Sequence, residues 1–196
     1  LPISTFRPEL VALAAPVAAR LAVAGMVPYL VCPVEAPNGE IRSSFPLAAQ
    51  LRLGHVLLLY PEEDIQFAAP EFADIPGHQL SLPPGLMDAS FTLADHFWGK
   101  SEQAVVSVAS PECLLPAAAL AAQLSAPLLV VETESLSRAL TVAHDRFGVQ
   151  EAFFVSNAEP EHSVDLPMSL RIAPLSPPET EELLVTRMGR ETAETI

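Results

Sequence analysis

Residues Ala104 to Val108 form a short, valine-rich apolar run, and a nearly uncharged alanine-rich segment follows from about 111 to 125. A second apolar run at 127–131, an amphipathic stretch from about Ser135 to Phe147 and a third run at 152–156 continue the series. Short β-branched runs alternating with longer periodic segments predict strand, helix, strand, helix, strand. That order implies a parallel sheet with right-handed crossovers. The punctuation agrees: Ser110-Pro111-Glu112 supplies an N-cap serine, a proline at the first helical position and an acid in the first turn, and Gly148 supplies a C-cap.

Two apolar stretches are long enough to cross a bilayer, Leu10 to Val34 with Arg20 as its one charge and the uncharged 114–131. Each splits, at Ala24-Gly25 and at Ser125-Ala126-Pro127, into an alanine-rich helix and a short strand. This is the pattern of a buried αβ unit and predicts no membrane insertion.

The same pattern occurs twice. Residues 8–21 (PELVALAAPVAARL) align without a gap to 111–124 (PECLLPAAALAAQL) with seven identities in fourteen positions. Further on, Pro28 to Cys32 answers Pro127 to Val131, and Ala48 to Leu59 answers Val142 to Val149 with the strand Ala152 to Val155. Both copies then reach a double proline, Pro83-Pro84 and Pro177-Pro178. The fold class expected is α/β, with two tandem repeats, each a small parallel sheet flanked by helices, Rossmann-like and three-layered but without a dinucleotide glycine fingerprint. The units run over 1–84 and 85–178. The first copy lacks its leading helix and most of its leading strand. Residues 179–196 then either begin a further repeat or fold back, as a helix at 179–189 and a strand at 193–196, to complete the first sheet. With Leu1 in place of an initiator Met, the chain reads as a segment of a longer precursor.

Half of the residues are apolar and 17% are charged, the balance of a folded chain. The net charge of −14, with Lys100 as the single lysine, argues against nucleic acid or an anionic lipid surface, since both require clustered basic residues. Cys32 and Cys113 fall at non-equivalent repeat positions without zinc spacing and read as structural thiols. Neither a metal nor a cofactor is expected.

Residues 110–129 (SPECLLPAAALAAQLSAPLL) resemble the type 2 cell-wall-binding repeat, with its Pro-acid pair, alanine-rich helix ending in Leu, and Ala-Pro-Leu-Leu strand. Leu13 to Leu21 is similar to the same helix, and Ser135-Leu136, Phe147-Gly148 and Ala152 to Val155 match later landmarks. Arg187 to Ala193 is similar to the family's Arg-x-x-Gly-x-x-Arg-x-x-Thr-Ala segment in shortened form. The resemblance implies a non-catalytic, tandem surface-anchoring module, secreted or at the cell surface, that binds a wall polymer or other carbohydrate. Its further partners would be more repeats of the same chain or a homo-oligomer. The family's Gly-Gly is Ser156-Asn157 here and Tyr60-Pro61 in the first copy, and its basic segment is absent between 86 and 100. Fold therefore carries over more firmly than ligand.

Ligands of open parallel sheets gather at the carboxyl ends of strands, beside helix N-termini. Arg7, Glu9, Arg42, Ser43, Ser44, Glu112, Glu132, Arg138 and Asn157 fall on that edge. Glu9 and Glu112 would accept from sugar hydroxyls, or simply favour helix starts. The arginines, with Ser43-Ser44 capping a following helix, would hold a carboxylate or phosphate, or stand as solvated surface residues. Glu132 and Glu134 flank Thr133 as paired carboxylates or as a solvated loop. The five histidines show no metal pairing, Ser107 lacks a nucleophile elbow, and Trp98 reads as core packing. Two other readings remain open: a two-domain small-molecule binder or enzyme, of cytoplasmic location, with its ligand between the repeats, and a structural or assembly domain of a larger protein.

Overall fold

The computed structural model describes residues 8–26, 33–35, 41–43, 56–61, 77–157 and 167–194. In chain order these give helix α1 (Pro8–Val23), strands β1 (Pro33–Glu35), β2 (Ile41–Ser43), β3 (Val56–Pro61) and β4 (Gly77–Leu82), helix α2 (Leu86–Phe97), strand β5 (Gln103–Val108) and helix α3 (Pro111–Leu124). Strand β6 (Leu128–Val131), a 3-10 turn (Thr133–Ser135), helix α4 (Leu136–Val142), a wide helical turn (Ala143–Phe147), strands β7 (Glu151–Val155) and β8 (Arg171–Leu175) and helix α5 (Pro177–Glu194) follow.

The expected strands at 104–108, 127–131 and 152–156 form, within a residue of their predicted ends, and with β8 they make a four-stranded sheet in the order β6-β5-β7-β8, parallel throughout. The fold is α/β. Alternate side chains along each strand leave for opposite faces. Val105, Leu128, Val130 and Val155 pack on one side with Cys113, Leu114 and Leu120 of α3 and with Leu13 and Val17 of α1. On the other side Val106, Leu129, Val131 and Phe154 meet Leu136, Leu140, Phe147 and Val149 from the α4 segment. Strands covered on both faces explain why the sequence shows continuous apolar runs rather than alternation.

Both outer strands are protected, by different means. Helix α2 lies against β6, where the buried Ser90 hydroxyl accepts the Val130 N–H at 2.9 Å and donates to the Met87 carbonyl at 2.7 Å. On β8, the Arg171 N–H bonds the oxygen of Gln150, the residue just before β7. Residues 172 and 174 therefore turn their backbone amide positions outward. Pro174 occupies the second and has no N–H to offer, which blunts the edge against strand addition.

Beyond this sheet, β3 and β4 form a separate parallel pair, whereas β1 and β2 pair antiparallel, contrary to an all-parallel expectation. Cys113 is a buried free thiol, as anticipated, and Cys32 lies outside the described residues. Trp98 is core, its indole N–H donating to Ser125 O at 2.7 Å across the α3–β6 turn.

Three local expectations need correction. Ser110 holds the N-cap position as expected, but its hydroxyl makes no cap bond; the Cys113 and Leu114 N–H groups both bond its main-chain oxygen. The helix expected over 135–147 is not uniform: after α4 it widens by one residue per turn through 143–147 before Gly148, at φ 76°, closes it as foreseen. The strand placed at 193–196 does not begin there, because α5 continues to Glu194 with no proline to stop it. Residues 195–196 lie outside the described residues.

Candidate functional site

Chain connectivity defines a switch point. From β5 the chain passes through α3 to β6 on one side, then returns through α4 to β7 on the other, so the carboxyl ends of β5 and β7 diverge in their onward paths. Helix α3 begins three residues after β5 ends, and this places Glu112 in its first turn beside the loop that follows β7. There the Asn157 Nδ2 donates to Glu112 Oε2 at 3.2 Å, with both residues exposed. An amide and a carboxylate joined in this way keep one carboxylate oxygen and the amide oxygen as acceptors for ligand hydroxyls. The positive end of α3 faces the same carboxylate.

The other residues expected on this edge distribute as follows. Glu132 follows β6, the next strand over, and is exposed; its main-chain oxygen accepts the Ser135 N–H and hydroxyl, both at 2.9 Å, which sets the turn before α4. Glu134 is exposed in that turn, and Arg138 is exposed in the first turn of α4. Neither the Glu132 carboxylate nor the Arg138 guanidinium has a side-chain partner among the described residues. Glu9 occupies the first turn of α1 and is half-buried. Arg42 and Ser43 lie in β2, opposite Val34 and Pro33, so Ser43 belongs to a strand and is not a helix cap. Arg7 and Ser44 lie outside the described residues. Among the described residues of this set, Glu112 and Asn157 are joined by a bond.

The opposite edge was not foreseen. A cavity of about 530 Å3 opens at the amino ends of β5, β7 and β8, where Gln103, Glu151 and Arg171 begin their strands. Gln103 Nε2 donates to Glu151 Oε2 at 2.6 Å. The signal in the sequence is a polar residue heading each apolar run, but only strand register shows that these heads fall in one row.

Charge elsewhere serves structure. Arg146 forms a two-point ion pair with Asp95 of α2, at 3.0 and 2.9 Å, and lies over the Phe147 ring. With both side chains about half exposed, such a pair contributes roughly 0–1 kcal/mol. Before α5, Ser176 and Glu179 form a capping box: the Ser176 hydroxyl and N–H donate to Glu179 Oε2 at 2.6 and 2.7 Å. These bonds, the hydroxyl foremost, hold the Glu179 carboxyl below its ordinary range. Among the described residues no three His, Cys, Asp or Glu side chains gather as a metal site, and no helix is long and apolar enough to cross a membrane. Compared with known proteins, the chain matches no protein-family model, no curated protein and no solved structure.

Proposed function

We propose that this chain is a non-catalytic binding module built from tandem α/β repeats of the cell-wall-binding kind, which attaches a larger exported protein to a surface through a wall polymer or other carbohydrate. The observation that carries the reading is a recurrence of elements in the order of the sequence repeat. A Pro-Glu helix, a parallel strand pair and a helix that starts at or just after a double proline occur as α1, β3–β4 and α2, and again as α3, β7–β8 and α5. The helix contacts recur with them: α1 touches α2 as α3 touches α5.

The switch-point pair Glu112 and Asn157 gives the module a place to meet hydroxyl groups. A net charge of −14 turns that contact toward the neutral sugars of a polymer and away from its phosphates. Co-sedimentation of the purified chain with intact and polymer-stripped envelopes from its own source tests the reading. Retention on intact envelopes, lost on stripping and persisting at high salt, is the expected result. Equal retention on both, or none on either, removes the surface-anchor reading.

A further inference from the structure

The first rung of the four-stranded sheet is polar across most of its width. Gln103 pairs with Glu151, and Glu151 with Arg171. Extending the Val105–Leu128 register by two residues sets Ala126 beside Gln103. Paired residues share a face, and the two-residue period puts this row on the side of Val105, Phe153 and Val155, the face that α3 covers. Helix α3 stops short of the row. It ends at Leu124 and turns away through Ser125, at φ 50°, so the rung stays open beneath its last turn. The cavity at the amino edge is the space this leaves, with Leu124 and Ala126 as its apolar wall.

We propose that this cavity is a second binding site, for a neutral polyhydroxylated ligand of the size of a saccharide unit. The Gln103–Glu151 bond fixes an amide and a carboxylate against each other while leaving the amide oxygen and the second carboxylate oxygen to accept hydroxyl protons. Arg171, exposed and without an acidic partner among the described residues, supplies donors for hydroxyl or ring oxygens. The half-buried Leu124 offers a small apolar contact to the C–H face of a sugar ring.

Charge selects against other classes of ligand. Glu102 and Glu151 repel an anion, and Arg171 opposes a compact cation. The volume lies within the roughly 300–1,000 Å3 of small-molecule sites, well above what one ion needs. The strand starts are rigid supports, since each is anchored by main-chain bonds: Gln150 and Glu151 N–H to Glu102 O, and Arg171 N–H to Gln150 O. This site sits at the other end of the strands from Glu112 and Asn157, and it stands whether or not envelopes retain the chain.

The test is titration of the whole 15N-labelled chain with glucose, N-acetylglucosamine and maltose, followed by NMR. Saturable shifts of the Gln103 side-chain amide and of the Glu151 and Arg171 backbone amides are expected with at least one sugar. Glu151→Gln and Arg171→Gln should each weaken binding about tenfold, as loss of a charged hydrogen bond does, while melting like the parent. The proposal is overturned if none of these sugars moves the three residues, if both variants bind as the parent does, or if only inorganic phosphate or ethylenediamine produces the shifts.

Discussion

At the contact between α2 and β6, the Ser90 hydroxyl accepts the one β6 N–H known to bond a side chain, that of Val130, in a setting where Ser90 is fully buried. Replacement by alanine removes the acceptor and leaves the amide without water to replace it. Ser90→Ala is expected to cost about 1–3 kcal/mol in denaturant unfolding. A loss under a few tenths would mean that the helix does not seal this edge. Ser125 presents the opposite case: it is the one described residue other than glycine with positive φ, at the left-handed end of α3. Ser125→Gly removes the Cβ conflict there and is expected to stabilise by about 0.5–1 kcal/mol, read as a raised melting temperature. Neither residue announced itself in the sequence. Ser90 is a serine in an ordinary amphipathic helix until β6 is brought against it, and Ser125 was legible as a break point but not as a left-handed one.

Among the elements, those whose ends carry chemistry were the most readable. Helix α3 was marked by Pro111 and Glu112 at its start and by its alanine-rich, nearly uncharged run, whose buried face is Cys113, Leu114, Ala117, Ala118, Leu120 and Ala121. Gly148 marked the end of the α4 segment, yet the wide turn before it was invisible, because it reflects a shift in main-chain hydrogen bonds that keeps Phe147 buried and not a change in residue type. Helix α5 carries a signature readable in the sequence, Ser176-Pro177-Pro178-Glu179 in capping-box spacing. Its pH response follows from the sign of the Glu179 shift. A carboxyl held below its ordinary range in the folded state favours folding above the range it has when unfolded, and that contribution disappears as pH falls through the folded value. The first turn of α5 should therefore exchange its amides faster, relative to the rest of the helix, below the ordinary glutamate range than near neutrality. Glu179→Gln should make the turn insensitive over that interval. An unchanged profile in the variant would place the acid response elsewhere.

For the whole molecule, the kinship of residues 8–21 and 111–124 was legible in the sequence, and the meeting of Glu112 and Asn157 followed from topology, since a parallel sheet brings the end of β5 and the end of β7 together. The row on the amino edge required register, which no single segment encodes. The sequence also drew a boundary at 84 and 85, whereas packing joins residues from both sides of it. Leu13 and Val17 of α1 are buried in the same cluster as Leu93, Trp98, Val105 and Leu120. A helix from the first half thus covers α3 from outside, and the alanines along α3 let it approach closely. If this cluster unfolds as one unit, a cavity made in α1 must be felt across the boundary. Leu13→Ala is expected to cost about 2–5 kcal/mol. Trp98 is the single tryptophan of the chain, so its fluorescence reads this cluster from a residue of the second half. The midpoint of the fluorescence transition in denaturant should fall together with the loss of helix seen by circular dichroism, since one cooperative core gives coincident probes. A Trp98 transition left at the parental midpoint while part of the helical signal melts early would show that α1 folds apart from the sheet, and that the two halves are separate units after all.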